Sequence, residues 1–208
     1  MEYQHVLTEV IDGLAIYIPE SEKVRTTYEA LLLNDSLTPF PFWAKIWPAA
    51  KAMTSFLASS PNWIEDKLVL EIGAGIGLPS FIIANKTKSL IISDHALEAV
   101  ALIEKNIQLL KLDQTKAMCL DWNNFPENIK AETILLSDVN YAPEQFESLL
   151  TLIKRFISAS STIIIATPQR IMATPFVKAI EPFVKYNLHQ RIIDSKQEVD
   201  VSILILYK

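Results

Sequence analysis

Cysteine is almost absent from this chain: Cys119 stands alone, so no internal disulfide can form and no pair of thiolates exists to hold a metal. A reducing compartment is the default that follows. Long apolar runs are missing as well. None approaches the length needed to span a bilayer, and the opening MEYQHVLTEV has no basic stretch leading into an apolar one, so a cytoplasmic protein without membrane attachment is expected. Basic charge is in short supply: a net charge of -5 and a pI near 5.3 speak against general nucleic-acid binding, which needs a concentrated basic surface to displace counterions. What remains is ordinary for a soluble enzyme. At 208 residues, half of them hydrophobic and 21% charged, the chain is long enough to bury the core of one α/β domain.

The stretch that organises the rest is KLVLEIGAGIGLP at 67–79. Val69, Leu70 and Ile72 suit a strand buried on both faces of a parallel sheet. Gly73, Gly75 and Gly77 allow positive φ and carry no Cβ, so a flat ligand can lie against the main chain, and Pro79 suits the first turn of a following helix. The spacing is ExGxGxG. A dinucleotide fingerprint needs a further glycine where Leu78 stands, so a pyrophosphate ligand is disfavoured and another nucleotide-type ligand favoured.

Residues 1–40 read as a cap or hairpin, with a short strand at 14–18 and a short helix or strand at 28–33. The aromatic, proline-rich PFPFWAKIWPAA at 39–50 leads to a helix that Pro48 can start, with Ala49, Ala52, Met53 and Phe56 on its buried face. Trp43 reads as core. Trp47 reads equally as core or as a ring at the mouth of a cofactor pocket, where it can attract a sulfonium cation. A second buried strand, 88–94, ends on Asp94, about twenty residues past the glycine run, where a ribose-binding carboxylate is expected, with an N-cap as the alternative. The helix at 96–110 shows Val100, Ile103, Ile107 and Leu110 on one face, its polar residues otherwise forming a solvated surface. His95 has no second His or Cys near it, so no metal site is expected.

A third strand, 116–120, ends at Asp121 and Trp122, which read either as an adenine acceptor with an indole lid or as a surface turn. The fourth, 132–139, ends in SDVNYAPEQ and so delivers Asp138 and Tyr141 to the carboxyl edge of the sheet, where open α/β sheets bind ligands. An amphipathic helix follows Pro143, then a fifth strand at 161–167 and a helix from Pro175. Strands at 188–193 and 201–207, joined by DSKQEVD, are too close for a crossover helix and must be antiparallel. The expected fold is a single-domain, Rossmann-like, doubly wound sheet of seven strands, mostly parallel with the last inserted antiparallel, over 41–208, with 1–40 as an N-terminal extension.

FWAKIWPAA at 42–50, EIGAGIG at 71–77, Asp94, Asp121 with Trp122, and DVNY at 138–141 together resemble class I methyltransferases that use S-adenosylmethionine. They are most similar to the METTL21 group of protein lysine methyltransferases, methyltransferase family 16. The resemblance implies S-adenosylmethionine as cofactor, lined by Trp47, Glu71, Gly73, Asp94 and Asp121, with Asp138 and Tyr141 facing the acceptor. It implies a lysine of a protein as that acceptor. A small-molecule N-methyltransferase and a non-catalytic cofactor-binding scaffold are the alternatives, and the sequence does not specify oligomeric state.

Overall fold

A computed structural model describes residues 3–11 and 13–208. In chain order the elements are β1 (His5–Ile11), β2 (Leu14–Pro19), α1 (Ser21–Asn34), α2 (Pro48–Ser59), β3 (Leu68–Ile72), α3 (Leu78–Ile83), β4 (Ser89–Asp94) and α4 (Leu97–Leu110). They continue as β5 (Thr115–Cys119), β6 (Thr133–Ser137), α5 (Phe146–Ser158), β7 (Thr162–Pro168), α6 (Thr174–Ile180), β8 (Val184–Asp194) and β9 (Gln197–Leu206). Among the described residues no helix is long and apolar enough to cross a membrane.

β1 and β2 form a separate antiparallel hairpin, and the other seven strands form one sheet in the order β5-β4-β3-β6-β7-β9-β8. The first five of these run parallel, while β9 is antiparallel to both neighbours, as the sequence led us to expect. Side chains alternate across a strand, so β3 sends Val69 to one face and Leu70 and Ile72 to the other. The first face is covered by α2, α3 and α4, through residues such as Met53, Ile83 and Ile103. The second is covered by α5 and α6 through Leu149, Ile153, Phe156 and Phe176. Because β3 pairs with β4 on one side and β6 on the other, strand order reverses there, and the ends of these three strands frame a crevice.

Three local expectations change. The segment at 28–33 belongs to the fourteen-residue helix α1, of which only Val24 is buried, so its sequence carries little helical stripe. On α4 the buried residues are Ala99, Leu102, Ile103 and Asn106. Asn106, expected in a solvated face, is fully buried: its side chain accepts from the Tyr17 N–H at 2.7 Å and donates to the Tyr17 carbonyl at 2.9 Å. It pairs with β2 as a neighbouring strand would, and so stitches the hairpin to the core. Finally, the polar segment at 194–200 is mostly strand. Only Ser195 and Lys196 turn, both at positive φ (48° and 72°), a conformation whose twist matches a tight hairpin. β8 is an edge strand with most side chains exposed, so hydropathy alone did not reveal its length. Asp194 at the hairpin tip is clipped to Lys51 of α2 at 2.7 Å and to Lys45 at 3.5 Å.

Candidate active site

At the end of β3 the chain turns through Gly73, Gly75 and Gly77, all at positive φ (67°, 55° and 82°). All three are also closely packed, a Cβ on Gly77 falling 3.3 Å from both Ile92 Cγ2 and the Phe81 ring. A Cβ on Gly73 would lie 3.0 Å from Val139 Cγ1 and 3.3 Å from the Trp122 ring, and one on Gly75 would lie 3.1 Å from the Trp43 carbonyl oxygen. The turn is therefore pressed between the segment before α2 and the ends of β5 and β6. Asp94, 4% exposed, holds it from the side: Oδ2 accepts the Gly75 N–H at 2.8 Å and Oδ1 the Ala96 N–H at 3.0 Å. One carboxylate thus braces the glycine turn and the approach to α4. Oδ1 also lies 3.4 Å from His95 Nδ1, so Oδ2 is the oxygen that keeps a further lone pair for a ligand.

A cleft of about 490 Å³ opens over this turn. Of the sequence-expected residues, Trp47, Gly73, Gly75, Gly77, Asp94, Trp122, Asp138 and Tyr141 line it. Trp43 does so as well, while also packing against the core and edge-on to Tyr3 at 5.1 Å. Glu71 and Asp121 do not line it. Asp121 is exposed and spends its carboxylate on its own turn, where Oδ1 accepts from the backbone and side-chain N–H groups of Asn123, both at 2.9 Å. Glu71 is fully buried beneath the turn, where Ser80 of α3 donates to Oε2 at 2.5 Å and Oε1 has no partner among the described residues. Burial pushes its carboxyl up to about 7, against the lowering effect of the Ser80 hydrogen bonds.

Beside the cleft, and sharing Phe42, Trp47, Asp138 and Tyr141 with its lining, lies a side pocket of about 290 Å³ that Arg170 and Met172 complete. Its aromatic wall is a linked set. The Phe42 and Tyr141 rings lie 5.0 Å apart, and Trp47 donates its indole N–H to the Phe42 carbonyl at 2.8 Å. Asp138 sits at φ 57°, a left-handed conformation that Asp tolerates better than most residues and that recurs at functional sites. Its carboxylate, 5% exposed, accepts two hydrogen bonds from Arg170, at 2.5 and 2.8 Å. Burial raises the Asp138 carboxyl above its ordinary value, and the charge and hydrogen bonds of Arg170 pull it back. Burial likewise raises the Tyr141 phenol, helped by Asp94, Asp138 and Glu144.

Arg170, Met172 and Ser137 were not picked out from the sequence, and Phe42 only as part of a motif. The usable signal for Arg170 was its place just past the carboxyl end of β7. The donor set suits a flat polar group such as an adenosyl moiety. Besides the bare glycine turn, Trp122 Nε1 and Ser137 Oγ, in residues that line the cleft, are buried without partners among the described residues, and buried polar atoms are ordinarily satisfied.

Comparison with known proteins bears on the same stretch. The profile of the lysine methyltransferase family matches residues 32–183. Mouse histone-arginine methyltransferase METTL23 is 32% identical over 114 residues, covering 50% of this chain and 44% of that protein. An Arabidopsis thaliana calmodulin-lysine N-methyltransferase is 30% identical over 135 residues, 60% of this chain and 44% of its own. The chain thus matches about half the length of these curated relatives. Among solved structures, the N-methyltransferase NodS of Bradyrhizobium japonicum, in complex with S-adenosyl-L-homocysteine, superposes with a TM-score of 0.63 at 14% identity, covering 88% of this chain and 99% of NodS. A putative RNA methyltransferase of Pyrococcus horikoshii gives 0.58 at 20% identity, over 77% and 84%. At such identities the likeness concerns the fold.

Proposed function

The chain belongs to the lysine methyltransferase family, and from that premise we propose that it is an S-adenosylmethionine-dependent N-methyltransferase acting on a lysine side chain of a protein. The observation that carries this reading is a buried carboxylate and a tyrosine, Asp138 and Tyr141, lining both the glycine-turn cleft and the aromatic pocket beside it. When bound, S-adenosylmethionine supplies a methyl group on a sulfonium, whose carbon–sulfur bond breaks as an uncharged nitrogen attacks in line.

The residues of the chain have two tasks. The first is to bind. Gly73, Gly75 and Gly77 provide the bare main chain, Asp94 offers the free lone pair of Oδ2 to a ribose hydroxyl, and Trp122 and Trp47 flank the space. Glu71 contributes to the cofactor side from beneath, through Ser80 and the start of α3, and the Asp121 loop contributes through Trp122. The second task is to present the acceptor. A lysine amine has a reference pKa of roughly 10.4 and must lose its proton first, which an apolar, aromatic wall favours by desolvation. Phe42, Trp47 and Tyr141 form such a wall, Asp138 orients the amine N–H groups and the departing proton, and the Tyr141 hydroxyl adds a hydrogen bond. Geometry then does most of the catalysis, because aligned reactants at near-attack distance save much of the barrier.

The narrower likeness to the METTL21 group, the cytoplasmic location and the treatment of 41–208 as one catalytic unit capped by 1–40 are parts of the same proposal. Support for the cap comes from Ile16 in the main core and from the Asn106 stitch. The test is incubation with radiolabelled S-adenosylmethionine and a lysate of the source cell, followed by amino-acid analysis of any labelled protein. Methyllysine in a protein band supports the reading. Label in arginine or an N-terminal amine changes the acceptor, label confined to small molecules favours a small-molecule N-methyltransferase, and tight cofactor binding without transfer favours a scaffold.

A further inference from the structure

Asp138 poses a problem for any enzyme that must deprotonate an ammonium group. An anion beside an amine stabilises the charged form, which is the unreactive one, and a buried anion does so more strongly than an exposed one. A lone carboxylate at the base of the side pocket would trap the acceptor as ammonium. Alternatively, burial would protonate the carboxyl itself and turn it from an acceptor of hydrogen bonds into a donor.

The structure provides a countercharge. Arg170 reaches from the loop after β7 and engages both oxygens of Asp138 with a two-pronged guanidinium. Such a fork matches a carboxylate in plane, and its charge persists at any working pH. Each Asp138 oxygen uses one lone pair on Arg170 and keeps another for an incoming N–H. The titratable groups lining this pocket are Asp138, Tyr141 and Arg170, and Tyr141 in addition feels Asp94 and Glu144. Arg170 is thus the cation that faces Asp138 across the pocket wall.

We propose that Arg170 is a positioning residue for methyl transfer: it fixes the Asp138 carboxylate and cancels its charge, so that the pocket orients a neutral amine instead of holding the ammonium. The role rests on the reading of the site as an amine methyltransferase, and it acts through Asp138 without requiring contact with the methyl group.

The test compares the full-length wild type with Arg170→Met and Arg170→Lys. In an NMR titration of the Asp138 carboxyl carbon, Arg170→Met moves the transition upward by about one pH unit or more, and Arg170→Lys, which keeps the charge and loses the fork, moves it less. In label transfer from S-adenosylmethionine to lysate protein, Arg170→Met lowers kcat by about 10-fold or more and shifts the acid limb of the rate profile to higher pH, with partial recovery in Arg170→Lys. Binding of S-adenosylhomocysteine by calorimetry stays close to wild type in both variants, which separates the effect from misfolding. An unmoved Asp138 titration overturns the proposal, as does a rate profile that falls uniformly without moving its acid limb. If the wild type binds cofactor and labels no amine, the functional reading fails, while the carboxyl titration still decides whether Arg170 governs Asp138.

Discussion

Two of the buried acids, Glu71 beneath the glycine turn and Asp138 in the wall of the side pocket, differ in their surroundings. Glu71, on the glycine-turn side, has Ser80 as its hydrogen-bonding neighbour and one oxygen without a partner among the described residues, and burial lifts it to about 7. Asp138, on the pocket side, has both oxygens on a guanidinium, which offsets part of the burial effect. The first tolerates protonation because it sits under a turn and outside the lining. The second lines the side pocket, and on the proposed reading it has to remain an acceptor for the amine that enters there. The difference extends to how each side is assembled. The turn, Asp94 and Ser80 come from one contiguous β3-α3-β4 unit, whereas the pocket gathers Phe42, Trp47, Tyr141, Arg170 and Met172 from segments far apart in sequence.

If the two sides divide binding from presentation, substitutions should separate the two functions. The largest effect is expected from Asp138→Ala: turnover falls by about 10²-fold to 10⁴-fold, the usual range for a proton-handling group, while calorimetry finds cofactor affinity nearly unchanged. Activity near wild type would remove Asp138 from the mechanism. Gly75→Ala should do the converse. The new methyl group would lie 3.1 Å from the Trp43 carbonyl at a φ of 55°, so the turn must shift, and cofactor affinity should fall by about 10-fold or more, with a stability loss of about 1–2 kcal/mol. Unchanged binding would show that the turn is not the cradle.

Glu71→Gln tests the half-satisfied acid through pH. Its folded-state carboxyl is raised from 4.5 to about 7, so the folded protein takes up the proton first, and the stability cost of ionised Glu71 is absent at low pH and develops as pH rises through that window. Above it, the cost is of the order of 3 kcal/mol. Denaturant unfolding should therefore show Glu71→Gln gaining stability over wild type as pH rises from about 4.5 to about 7, and losing that gain on acidification. A pH-independent difference would mean that Glu71 is not protonated in this range. The smallest effect on the site itself is expected outside both sides. Asn106→Ala leaves the Tyr17 N–H and carbonyl without their side-chain partners and should cost about 1–3 kcal/mol, seen as earlier proteolysis of the N-terminal hairpin, with cofactor affinity preserved.

The same contrast explains what could be read from the chain before folding it. The sheet was legible because buried parallel strands are nearly continuous apolar runs and a three-glycine turn after one of them marks the switch point. Asp94 and Asp138 were legible by position, each at a strand end. Arg170 was not, because a single arginine in a loop has no periodicity, and only the folded sheet brings β7 beside β6. Glu71 belongs to the recognisable motif, yet sequence spacing does not say that alternation along β3 turns it away from the cleft and toward Ser80. Asn106 was misread for the opposite reason. A polar residue on a helix ordinarily faces solvent, and the backbone of β2 that satisfies it lies far away in sequence.

The most direct test of the whole account is calorimetric titration of the full-length protein with S-adenosylhomocysteine and, separately, with a pyrophosphate dinucleotide such as NAD. One molecule of S-adenosylhomocysteine bound per chain, with no heat from the dinucleotide, is the expected result. Binding of the dinucleotide in preference, or of neither, would contradict it.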